Sequence, residues 1–153
     1  EEEKQLEIKG SWKSIHDYAR DNDGKRLADA VEGRNGAILS SIDAQTDTGW
    51  SALHVAAMHK SALATASAIE LRGDIFLQDC TGRSPLHDAA ANNAVEVLSH
   101  LVAKAKRGNL QARDKLGNTP LHAAARAGAW DACRYLLAAG ADSKVANARG
   151  HTP

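Results

Sequence analysis

Aromatic side chains are scarce in this chain of 153 residues, with three tryptophans, two tyrosines and one phenylalanine. A core built on stacked rings is excluded, and the 30 alanines point to an interior of close-packed small side chains. Cys80 and Cys133 are too few for a disulfide framework and suit a reducing compartment, cytoplasmic or nuclear. No apolar run approaches the roughly 18 residues that span a bilayer, and no charged-then-apolar segment opens the chain. Membrane insertion is therefore not expected. Neither sign of charge is in excess: 19 basic and 19 acidic side chains cancel, which argues against a dedicated nucleic-acid binder. The cancellation is uneven, with nine acids against seven bases in residues 1–34 and six against ten in residues 78–153. At 43% hydrophobic and 25% charged, the chain has the balance of a soluble, folded protein.

Chemistry-bearing motifs are missing too. There is no HExxH, no CxxC pair, no phosphate-cradling glycine loop and no GxSxG. The run Gly33-Arg34-Asn35-Gly36 reads as a turn between helices, since no strand precedes it. Cys80 beside a histidine would lack an orienting third group and an oxyanion site. The expectation is a chain with no catalytic residues, no metal site and no cofactor.

What is present is a repeat. TDTGWSALHVAA (46–57), QDCTGRSPLHDAA (78–90), RDKLGNTPLHAAA (113–125) and NARGHTP (147–153) align, with Gly49, Gly82, Gly117 and Gly150 at steps of 33, 35 and 33. Leu53, Leu86 and Leu121 keep register, as do His54, His87 and His122. Thr119 is a good helix N-cap, and Pro120 suits the first helical position, where a missing N–H costs nothing. Three residues after the cap, His122 can reach back as in a capping box. Leu121, Ala124 and Ala125 form an apolar stripe that Ala127-Gly128 ends. A second helix carries Trp130, Cys133, Leu136 and Leu137 at helical spacing, with Trp130 expected to be partly buried, and Gly140 stops it. Helices below roughly 12 residues are marginal alone, so each pair must bury its face on its neighbours. Three histidines in a row, about 10 Å apart by helix-packing distance, are too far apart to share a zinc whose ligands sit at about 2.0–2.1 Å. A capping role is expected for all three; His16 and His100 have none evident.

These motifs resemble the ankyrin repeat family. The unit 117–142, GNTPLHAAARAGAWDACRYLLAAGAD, lies close to its consensus, whereas the first unit has Ser51-Ala52 where the family has Thr-Pro. The resemblance implies an all-α solenoid of stacked helix-turn-helix units joined by extended turns or short β-hairpins. Residues 1–24 are read as a charged, partly helical extension, with Ser11 capping a helix that carries Trp12, Ile15 and Ala19 and that either covers the stack or is the remnant of an earlier repeat. Residues 25–153 are read as the repeat domain. It divides into an atypical N-terminal capping repeat (25–46, with Leu27, Ala30 and Val31 on its first helix and Ile38, Leu39 and Ile42 on its second) and repeats at 47–78, 79–113 (with a two-residue insertion) and 114–146. Residues 147–153 open a further, truncated repeat, so the chain is expected to be part of a longer protein.

The resemblance also implies a non-catalytic, protein-binding module whose contacts come from the turn tips and the exposed side of each first helix. Carried over by position, these are Asp47, Thr48, Trp50, Met58 and His59; Thr81, Arg83 and Asn92; Lys115, Leu116, Asn118 and Arg126; and Arg149 and His151. Their mix of apolar and basic character points to a partner protein or peptide segment that is acidic and hydrophobic, gripped by a module monomeric on its own. The alternative is a docking or regulatory arm of an enzyme or channel whose active domain lies outside this stretch. The basic cluster Lys104, Lys106, Arg107 and Arg113 around the insertion is a further place for an acidic contact.

Overall fold

The computed structural model describes residues 14–33, 41–105 and 110–153. Among them are eight helices and no strand: α1 (Ile15–Arg20), α2 (Gly24–Glu32), α3 (Ala52–Met58), α4 (Ala62–Glu70), α5 (Pro85–Ala91), α6 (Val95–Ala105), α7 (Pro120–Ala127) and α8 (Trp130–Ala138). Short loops join them as pairs, α1/α2 through α7/α8. First helices stack in one row, α1 on α3 on α5 on α7, and second helices in another, α2 on α4 on α6 on α8.

Local chemistry sets where each pair begins. Ser14, Ser51, Ser84 and Thr119 all hold an extended conformation immediately before a first helix, and Pro85 and Pro120 fill the first helical position of α5 and α7. Each first helix then ends in a residue with left-handed backbone: Asn22 (φ 58), Lys60 (φ 57), Asn93 (φ 53) and Gly128 (φ 68). The two asparagines also act at a distance. Asn22 Oδ1 accepts from the Ala64 N–H at 3.1 Å and Asn93 Oδ1 from the Ala132 N–H at 2.9 Å, tying each loop to the second helix of the following pair.

The N-terminal boundary differs from the sequence reading. Residues 24–32 are not the first helix of a capping repeat starting at 25; they form the second helix of a pair whose first member is α1. The cause is a capping box at Ser14, where Asp17 supplies the returning side chain. It starts a helix that packs on α3 while α2 packs on α4. Ser11, Trp12, Arg34–Gly36, Ile38 and Leu39 lie outside the described residues, as do Lys106 and Arg107.

The core is continuous along the stack. Ala56, Ala57, Ala89, Ala90 and Ala124 are fully buried, which lets the first helices approach closely, and Leu53, Leu98, Leu101 and Leu136 fill the space between rows. Each such leucine contributes on the order of 2 kcal/mol by burial. In the last helix pair two expectations fail: Ala125 of α7 is exposed, and Trp130 of α8 is 80% exposed rather than partly buried. At the matching position of the preceding pair, Val95 is half-buried against the next unit, whereas no described helix pair lies beyond α8.

Candidate functional site

Four hairpin turns project from the first-helix side of the stack. In each, one N–H donates across the turn: Thr46 to the Trp50 carbonyl, Asp79 to Arg83, Asp114 to Asn118 and Asn147 to His151, at 2.8–3.0 Å. The side chain of the opening residue folds into its own turn, as when Asp114 Oδ1 accepts from the N–H groups of Leu116 and Asn118. Successive tips are then joined edge to edge, with the Cys80 N–H donating to the Thr48 carbonyl (3.1 Å), Lys115 to Thr81 (3.0 Å) and Ala148 to Leu116 (3.0 Å). Gln45, Gln78 and Arg113 reinforce the join one residue earlier; Gln78 Nε2 bonds the Gly82 and Arg113 carbonyls, and Arg113 Nη1 bonds that of Ala146 at 2.9 Å. Arg113, expected in a basic cluster for a partner, is therefore held within the turn row. Lys104 is exposed at the end of α6.

Below the tips runs a rail of imidazoles. The Ser51 N–H donates to His54 Nδ1 (3.1 Å), Ser84 to His87 (3.2 Å) and Thr119 to His122 (3.2 Å). A ring nitrogen that accepts from a peptide N–H carries no proton, so the proton sits on Nε2. From there His54 donates to the Arg83 carbonyl, His87 to Asn118 and His122 to His151, each at 2.9 Å. The three histidines thus close their own helix caps and clamp the next hairpin at once, leaving no ring nitrogen for a metal. His16, for which the sequence suggested no role, makes the same kind of contact, with Nε2 bonded to the carbonyls of Ala44 (3.0 Å) and Trp50 (3.1 Å). The readable signal was its place in the first turn after Ser14. Among the described residues no group of three or more His, Cys, Asp or Glu side chains could hold a metal ion.

Burial holds the His54 and His87 rings below the ordinary histidine range. Asp88 shifts the other way: burial outweighs the neighbouring Arg83 charge and pushes its carboxyl up to about 7. The two act oppositely on stability. Below pH ~6.5 the unfolded chain binds protons that the folded histidines refuse, so their contribution is complete above that pH and is lost as pH falls. The folded chain keeps a proton on Asp88 that the unfolded chain releases near pH ~4, so that contribution is complete at low pH and is lost as pH rises through about 7. Urea midpoints of the Asp88→Asn variant should therefore fall more steeply than those of the parent between pH 7 and pH 5. Equal slopes would contradict these assignments.

The residues assigned to binding from the sequence all lie on the tips or at the ends of the first helices. Asp47, Thr48, Trp50, His59, Thr81, Lys115, Leu116, Arg126, Arg149 and His151 are exposed; Met58, Arg83, Asn92 and Asn118 are half-buried. Several have internal duties. The Thr81 hydroxyl donates to Asp79 Oδ1, Asn92 Nδ2 to the Asp88 carbonyl and Asn118 Nδ2 to Asp114 Oδ2. Arg83 is not free: Nη2 lies 2.8 Å from Asp88 Oδ1. Asp88 itself is 5% exposed and stands where the neighbouring units carry Val55 and Ala123. Sequence reading missed this pair, whose signal was a carboxylate at an otherwise apolar repeat position.

A family model described as ankyrin repeats (3 copies) matches residues 19–112 and 67–147. No curated relative matches the chain.

Proposed function

Since the chain belongs to the ankyrin repeat family, whose members are generally protein-interaction modules, we propose that it is a non-catalytic binding module that grips an acidic, partly apolar peptide segment across its turn tips and first-helix ends. One observation carries this reading: the tips are locked in register by the edge-to-edge bonds, so exposed Trp50, Lys115, Leu116 and Arg149 stand in one rigid row. Rigid, pre-ordered side chains lose little entropy on binding, and tryptophan and arginine are enriched among the contacts that dominate interface energy. Residence in the cytoplasm or nucleus fits the two free thiols, Cys80 and Cys133. No helix among the described residues is long and apolar enough to cross a membrane.

Selection from a displayed random-peptide library tests the reading. Enriched sequences should combine acidic and apolar residues, and a Trp50→Ala/Lys115→Ala variant should bind them at least ~10-fold more weakly with an unchanged melting temperature. Enrichment of basic peptides, or binding indifferent to the two substitutions, would refute it. Arg83 is a poor choice for this test. Truncating it removes the hydrogen-bond partner of the buried Asp88 carboxyl, so stability would change along with the surface.

A further inference from the structure

The Arg83–Asp88 pair sits in the central unit, on the surface just assigned to the partner. Its chemistry is incomplete. Arg83 Nη2 takes Asp88 Oδ1 at 2.8 Å and reaches the His87 carbonyl at 3.4 Å, but Arg83 Nε and Asp88 Oδ2 are buried without any hydrogen-bond partner. A pair retained for stability alone would satisfy those atoms, because a buried ion pair offsets its desolvation only when its remaining donors and acceptors are bonded. The matching couples in the adjacent units are Trp50 with Val55 and Asn118 with Ala123, so neither the stack nor the hairpin requires a charge at either position. The Arg83 side chain retains 25% exposure while that of Asp88 has 7%: the arginine faces outward over a carboxylate held beneath it.

We propose that Asp88 is an internal competitor for Arg83, occupying its guanidinium until a carboxylate of the acidic partner takes its place. The contact makes the central unit selective. A single weak anion gains little from an arginine already neutralised, whereas a segment that also engages the flanking tips can displace Asp88 and use the guanidinium's unfilled N–H groups. This rests on the reading of the tip row as the binding surface.

Anisotropy of a fluorescein-labelled hexaglutamate peptide, at pH 8 and low salt, separates the possibilities. The Asp88→Asn chain should bind the probe about 5–10-fold more tightly than the parent, since one unit charge is released at contact distance. Asp47→Asn removes the same charge from the same surface without touching Arg83 and should gain no more than about twofold. In the double variant Arg83→Gln/Asp88→Asn the gain should vanish, with circular dichroism reporting that both Asp88 variants remain helical. A gain in Asp88→Asn no larger than that of Asp47→Asn, a gain that survives in the double variant, or a loss of helicity in Asp88→Asn overturns the competitor role and leaves the surface reading standing. No measurable binding by any of the chains overturns both.

Discussion

Replacing His87 by alanine should lower the unfolding free energy by about 3–4 kcal/mol. The ring is fully buried and makes two connections at once. Nδ1 accepts from the Ser84 N–H at the start of α5, and loss of such a cap costs ~1 kcal/mol. Nε2 donates to the Asn118 carbonyl of the next hairpin, and a buried carbonyl left unpaired costs ~1–3 kcal/mol. The remainder is the cavity left by the imidazole. His59→Ala, an exposed position at the end of α3, should stay within about 0.5 kcal/mol of the parent. Urea denaturation of the two variants decides the matter, and a His87→Ala cost below about 1 kcal/mol would contradict a structural role for the imidazole rail.

The second large effect is expected at Gly117. Its φ is +74, and an added Cβ would lie 2.7 Å from the backbone nitrogen of Ala148, the atom that donates to the Leu116 carbonyl. Gly117→Ala therefore combines left-handed strain of about 1–2 kcal/mol with forced separation of two hairpins, for a total of roughly 3 kcal/mol or more. Gly150 provides the control. Its φ is +79 but nothing lies within 4 Å of its would-be Cβ, so Gly150→Ala should show only the strain. Thermal melts of both variants should differ clearly, and indistinguishable melts would mean that the tips are not packed edge to edge.

The turn register was legible because a left-handed bend beside a neighbouring backbone admits little except glycine, and because a helix start needs a serine or threonine cap. The alanine pairs were legible for a similar reason, since closely stacked helices exclude larger side chains. Legibility ended where one backbone role can be met by several residue types. Asn22, Lys60, Asn93 and Gly128 all hold the same left-handed bend, so no common letter marks it. The helix carrying Ile15 and Ala19 was legible, but its pairing with α2 was not, because Asp17 replaces histidine in its capping box and the apparent start of the repeats moved past α1. Burial of Trp130 could not be read from helical spacing, since spacing reports the face and the neighbouring unit decides whether that face is covered. Arg83 was placed on the correct surface but without its partner, because an ion pair five residues apart, ending in a position elsewhere filled by valine and alanine, leaves no periodic trace.

Neutral imidazoles, each accepting from its own helix cap and donating to the next hairpin, join the units into one stack. A long-range proton–nitrogen correlation spectrum of the histidine rings at pH 7.5 reads this directly. His54, His87 and His122 should all appear as neutral rings protonated on Nε2, with slowly exchanging ring protons. Rings protonated on Nδ1, or averaging between the two forms as free histidine does, would contradict it.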